Sequence, residues 1–269
     1  MPSVILYDMI PNTERSLLLQ QLKNYLMFLR ESGQTHVPLN SELSELPVMA
    51  SPSGTFHDSS PQPLESRMVR KSTSTESKGD STPSTGLVGV REELGDCERC
   101  KLCETRQTIV FGSGNPNADL VFVGEGPGAD EDAQGLPFVG RAGKKLTEII
   151  EKGMLLDREK DTYICNIVKC RPPGNRDPEK DEVEACKPFL IKQLKAIRPK
   201  VIVALGKPAA STLLGRTVPI TKERGTWHEF EGMKLMLTYH PAYLLRAYTQ
   251  ENRQAVYDDM QMVLEALKA

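Results

Sequence analysis

Four apolar runs of strand length, ADLVFVG at 118–124, TYICNIV at 162–168, KVIVALG at 200–206 and MKLMLTY at 233–239, alternate with stretches of helical period in the later part of the chain. Those stretches are RAGKKLTEIIEKG, PEKDEVEACKPFLIKQLKAI and KPAASTLLG, and NRQAVYDDMQMVLEALK closes the sequence. Strands that are apolar throughout, rather than at every second residue, are buried on both faces, as in a parallel sheet between helical layers. The expected fold is α/β, a three-layer αβα sandwich around a mainly parallel four-stranded sheet over residues 91–269. No internal repeat is seen.

Residues 1–90 read differently. Leu17, Leu18, Leu22, Tyr25, Leu26 and Leu29 recur at spacings of three and four, which predicts an amphipathic helix over 12–31 capped by Asn12 or Thr13. It docks either on its own chain or on a protein partner. From about 41 to 88 the sequence turns to Ser, Thr and Pro without either period, so it buries too little apolar surface to offset the entropy of ordering and reads as a disordered linker. Its basic cluster, Arg67, Arg70 and Lys71, reads first as a solvated charge run and second as a nucleic-acid contact.

Charge narrows the function. With 34 Lys plus Arg against 36 Asp plus Glu, the net charge of -2 excludes a uniformly basic nucleic-acid binder, so DNA contact requires a local basic face. No run approaches the ~18–20 apolar residues of a membrane span, and the opening MPSVILYDMIPNTE lacks the basic start of a leader. A cytoplasmic location with no membrane is expected. There, six cysteines are poor candidates for disulfides. Cys97 and Cys100 form a CxxC that Cys103 extends, and Cys170 and Cys186 follow at a separation that leaves zinc and iron–sulfur both open. Cys165 lies inside a strand run and reads as a buried thiol.

Ligands of open α/β sheets sit beyond the carboxyl ends of the strands. The first run empties into GEGPGADEDAQGLPFVGRAG, the second ends near Asn166, the third at Gly206, and the fourth at Tyr239 and His240. The glycine-rich loop has neither GxGxxG spacing nor a Walker lysine. Glycines beside Glu125, Glu131 and Phe138 instead suit a flat nucleobase.

With CERC, VFGSGNP, VGEGPGADED, GLPFVGRAG, NIVKCRPPGNRDP, ALG, ITKERG and HPAYLLR in order, residues 94–268 closely resemble the family 4, iron–sulfur uracil-DNA glycosylases. The resemblance implies a 4Fe-4S cluster, structural in role, on Cys97, Cys100, Cys170 and Cys186, with Cys103 a bystander. It implies removal of uracil flipped out of DNA, by a monomer whose partner is uracil-containing DNA. The alternative is a non-catalytic DNA-binding or scaffold protein that keeps the fold and cluster. Phe138 is expected to stack on the base, Asn166 to read its edge beside Gly126, and His240 to stabilise the departing uracil. Glu131 is expected on the C5 side of the pocket, and Glu125 and Glu131 are the candidates for acting on water or the sugar cation, since the family has Gly126 where other uracil glycosylases have Asp or Asn. Leu244 or Leu245 is the expected wedge, with Arg141, Lys144 and Arg246 facing phosphates.

Overall fold

The computed structural model describes residues 86–268, so the expected helix at 12–31, its partner and the basic cluster of the linker lie outside the described residues. A six-stranded sheet runs through the centre in the order β1-β3-β2-β4-β6-β5. The strands are β1 (Ser113–Gly114), β2 (Leu120–Gly124), β3 (Thr162–Asn166), β4 (Val201–Leu205), β5 (Trp227–Phe230) and β6 (Met233–Thr238). The inner four pair in parallel, while β1 and β5 add antiparallel edges. The expected parallel four are therefore present, and the strand count is corrected to six. The physical reason is that neither edge strand carries an apolar run. β1 has only two residues, and β5 leaves Trp227, His228 and Glu229 at least partly exposed. β5 turns into β6 through Glu231 and Gly232, both at positive φ, the paired left-handed residues that a tight hairpin of the right twist requires.

Alternation along the inner strands builds two cores. Val121, Val123, Ile202, Ala204, Leu235 and Leu237 face α4 (Lys180–Ile197) and α5 (Gly206–Leu214). Leu120, Phe122, Val201, Val203 and Met236 face α3 (Arg141–Glu148), α7 (Pro241–Arg246) and α8 (Gln250–Lys268). Two short helices, α2 (Ala129–Gln134) and α6 (Ile220–Glu223), complete the set with α1 (Leu87–Leu94). α1 starts four residues ahead of residue 91 and packs Val90 and Leu94 on Phe189 of α4. Among the described residues no helix is long and apolar enough to cross a membrane.

The order β3-β2-β4-β6 matters for function. The chain leaves β2 for β3 on one side, then returns across it to β4, so the loops after β2 and β4 diverge and open a crevice at their carboxyl ends.

Candidate functional site

Two glycines let side chains converge on that crevice. Gly124, the last residue of β2, is registered with Asn166 of β3, and a β-carbon there would collide with the Asn166 amide oxygen and the Phe138 ring. Gly206 stands at φ +85°, and a β-carbon there would come within 2.8 Å of the His240 Cβ. Asn166, Phe138 and His240 thus meet where the backbone has no side chains of its own. The Phe138 and His240 ring centroids are 5.7 Å apart.

Phe138 adopts φ 53°, a region that side-chain-bearing residues rarely occupy. Its loop is clamped to hold it there. Arg158 donates to the carbonyls of Phe138 (3.0 Å) and Pro137 (2.8 Å), and the Glu131 carboxylate accepts from the backbone of Val139 and Gly140 (2.9 Å each) and of Gly128 (3.0 Å). The Glu131 oxygens thus bind the backbone of the loop that carries Phe138. Composition gave no hint of Arg158; a loop carbonyl with no partner in its own element calls for such a donor, but the donor is known only once the chain is folded.

Asn166 is 1% exposed, and its Oδ1 has no hydrogen-bond partner. A buried unpaired carbonyl is destabilising by about 1–3 kcal/mol, so a donor reaching this oxygen would be stabilising. Beneath it, the buried Lys169 donates from Nζ to the Asn166 carbonyl at 2.6 Å and holds the strand end. Lys169 was missed because a lysine after an apolar run reads as the point where a strand surfaces.

Glu125, the first residue after β2, faces Asp177; burial first and the neighbouring charge second push its carboxyl up to about 7. Its Oε1 has no hydrogen-bond partner. Gly126 packs under the same segment: a β-carbon would lie 2.8 Å from Val168 and in ordinary contact with Pro172 and Pro178.

On the other wall, His240 caps α7, with Nδ1 accepting from the Ala242 amide at 3.1 Å. Burial, and then the charge of Arg246, lower its pKa to about 4. The ring is neutral near pH 7, and with Nδ1 an acceptor its proton sits on Nε2. Thr238 and Arg224 both donate to Asp259, which braces β6 from behind.

Of the two wedge candidates, Leu244 is 3% exposed and packs in the core with α3 and α8, whereas Leu245 is 43% exposed. Leu244 is thereby corrected to a core residue, as a helix with one buried face demands. Arg141 and Lys144 on α3 and Arg246 on α7 are exposed, and α3 packs beside α7.

None of the six cysteines forms a disulfide. Cys100 follows α1, Cys170 follows β3 and Cys186 lies in α4; burial pushes the Cys170 thiol up to about 12, and Cys186 and Cys100 add to the shift. Cys186 in turn feels Cys100 and Cys97. Arg99 donates to Cys97 Sγ at 3.2 Å and Arg106 to Cys170 Sγ at 3.6 Å. Cys165 is fully buried inside β3. Among the described residues no three thiols, imidazoles or carboxylates are gathered closely enough for a single metal ion.

Residues 111–261 match the family model described as the uracil DNA glycosylase superfamily. A type-4 uracil-DNA glycosylase of Thermotoga maritima is 46% identical over 181 residues, covering 66% of this chain and 93% of that protein. Those of Saccharolobus solfataricus and Archaeoglobus fulgidus are each 43% identical, over 189 and 187 residues, covering 67% and 66% of this chain and 86% and 92% of theirs. The chain belongs to the uracil DNA glycosylase superfamily, and these relatives set it in the type-4 branch.

Proposed function

We propose that the chain excises uracil from DNA, hydrolysing the N-glycosidic bond and leaving an abasic site. The observation that carries this reading is the buried, unpaired Asn166 Oδ1 beside an aromatic ring at the switch point of the sheet. Uracil presents N3–H to that oxygen and O4 to the amide nitrogen, while the ring of Phe138 covers its face. Cytosine reverses the pattern and leaves both groups unpaired. Reaching the pocket requires flipping, to which Leu245 contributes by filling the vacated stack and Arg141, Lys144 and Arg246 by holding phosphates.

The neutral His240 donates from Nε2 to uracil O2, and this hydrogen bond strengthens as the leaving base takes on charge. The lowered pKa keeps the ring neutral near pH 7 with its Nε2–H available to donate. Glu125 is the group for water or the sugar cation, and its carboxyl, pushed up to about 7 by burial and then by the Asp177 charge, is a base of suitable strength at neutral pH. Gly126 lets the backbone after Glu125 run close against Val168, Pro172 and Pro178.

Cys97, Cys100, Cys170 and Cys186 would hold a 4Fe-4S cluster. Four free thiols, two of them accepting from arginines, suit a group that takes four cysteine ligands. When bound it ties α1, the end of β3 and α4 together and supplies no redox step.

The test is incubation of purified protein with a labelled, uracil-containing oligonucleotide followed by alkali. Cleavage at the uracil is expected; an intact strand with folded protein overturns the assignment.

A further inference from the structure

Beside α7 stands an aromatic residue with no part in the reaction described so far. Tyr248 is 54% exposed, three residues beyond Leu245. Isolated exposed tyrosines are ordinary, so its surroundings decide. The Arg253 guanidinium lies 4.4 Å and the Lys145 ammonium 5.3 Å from the ring centroid, and Arg253 also donates to the hydroxyl at 3.3 Å. Its backbone is tied at both sides: the Ala247 amide donates to the Tyr243 carbonyl at 2.8 Å, the Ala247 carbonyl accepts from the Asn252 side chain at 3.0 Å, and Thr249 Oγ1 accepts from the Asn252 amide at 3.2 Å. Such a ring is ordered before a ligand arrives, which lowers the entropic cost of contact. Glu148 pairs with Lys145 and Glu251 feels Arg253, so each cation beside the ring is shared with an acid, and Arg246 stands between the ring and the wedge in sequence.

We propose that Tyr248 is a stacking platform for a nucleobase adjoining the flipped nucleotide, with Lys145 and Arg253 meeting the phosphates on either side. This rests on the glycosylase reading and deepens it. Removing one base from a duplex bares the faces of its neighbours, and a π-face next to cations is the surface such a base accepts. From His240 to Leu245 the helical rise is about 8 Å, so pocket, wedge and platform succeed one another within the reach of a few base steps. A base stacked on an aromatic side chain is held by about 1–3 kcal/mol, which corresponds to a loss of roughly fivefold to a hundredfold in affinity when the ring is removed.

The full-length chain and its Tyr248→Ala, Tyr248→Phe and Tyr248→Trp variants are titrated into a duplex carrying a non-hydrolysable deoxyuridine analogue with 2-aminopurine as its neighbour. Tyr248→Ala should weaken binding at least fivefold and abolish the quenching of 2-aminopurine, whereas Tyr248→Phe and Tyr248→Trp, which keep a ring, should bind and quench like the native chain. Binding by Tyr248→Ala at native strength overturns the platform. So does equal loss in the Phe and Ala variants, which would assign the effect to the hydroxyl bond with Arg253. Native chain on ordinary deoxyuridine duplex is the control. If it leaves no alkali-labile site, the glycosylase reading fails; if it excises uracil and Tyr248→Ala binds normally, only the platform does.

Discussion

The two walls of the crevice are built from similar strands and held in unlike ways. The β2/β3 wall, with Glu125, Phe138 and Asn166, leans on the segment from Lys169 to Pro178 that leads into the cysteine group. The β4/β6 wall, with Gly206 and His240, leans on the buried Asp259, which accepts from Thr238 and Arg224. The first wall presents unpaired polar atoms, while on the second the histidine is fixed by a cap bond. On the proposed reading, recognition sits on the β2/β3 wall and leaving-group stabilisation on the β4/β6 wall.

Asn166→Asp strikes hardest at this division. An ionised carboxylate only accepts, so it repels uracil O4, and uracil excision should fall by orders of magnitude with any residual activity turned toward cytosine. Normal single-turnover rates on uracil duplex would remove Asn166 as the reader. His240→Ala should cost about 100- to 1000-fold in rate while the preference for uracil over cytosine persists, because the lost bond grows with leaving-group charge. If binding weakens but the single-turnover rate holds, His240 positions DNA instead.

Cys186→Ala probes the support rather than the walls. It should lose iron and visible absorption together, and with them more of the order around Asn166 than around His240; Cys103→Ala should keep the colour. Amide exchange on the two strand ends, read alongside iron content, measures the contrast. Equal loss on both walls would mean that the cysteines hold the whole domain.

The walls also differ in titration. Glu125 changes charge near pH 7 and His240 near 4, so the acid limb of activity should fall through about 7 and move downward in Glu125→Gln, if any rate remains. A limb unmoved by that change assigns it elsewhere. The stability sign follows from the raised carboxyl: the native fold favours the protonated form, a contribution complete below the unfolded value of about 4.3 and lost as pH rises through 7. Glu125→Gln should therefore melt higher than the native chain at pH 8 and alongside it at pH 4. The smallest effect is expected from removing residues 1–85. All residues of both walls lie in 86–268, so uracil excision should change less than about tenfold.

The parallel core was legible in the sequence because burial on both faces writes itself as an unbroken apolar run, whereas the strand order that places the switch point came only with the fold. Gly124, Asn166, Gly206 and His240 were legible as the residues at the strand ends. The edge strands were not, since two residues of β1 and a half-exposed β5 carry no such signal. Nor was the direction of a side chain. Leu244 and Leu245 are the same residue type one position apart, and only the 100° step of a helix packed on α3 buries one and exposes the other. Glu131 and Glu125 are likewise equal as carboxylates in sequence. Tertiary structure decides between them, because one meets three backbone amides and the other meets Asp177, distant in sequence, and a carboxylate's chemistry is set by the donors and charges around it.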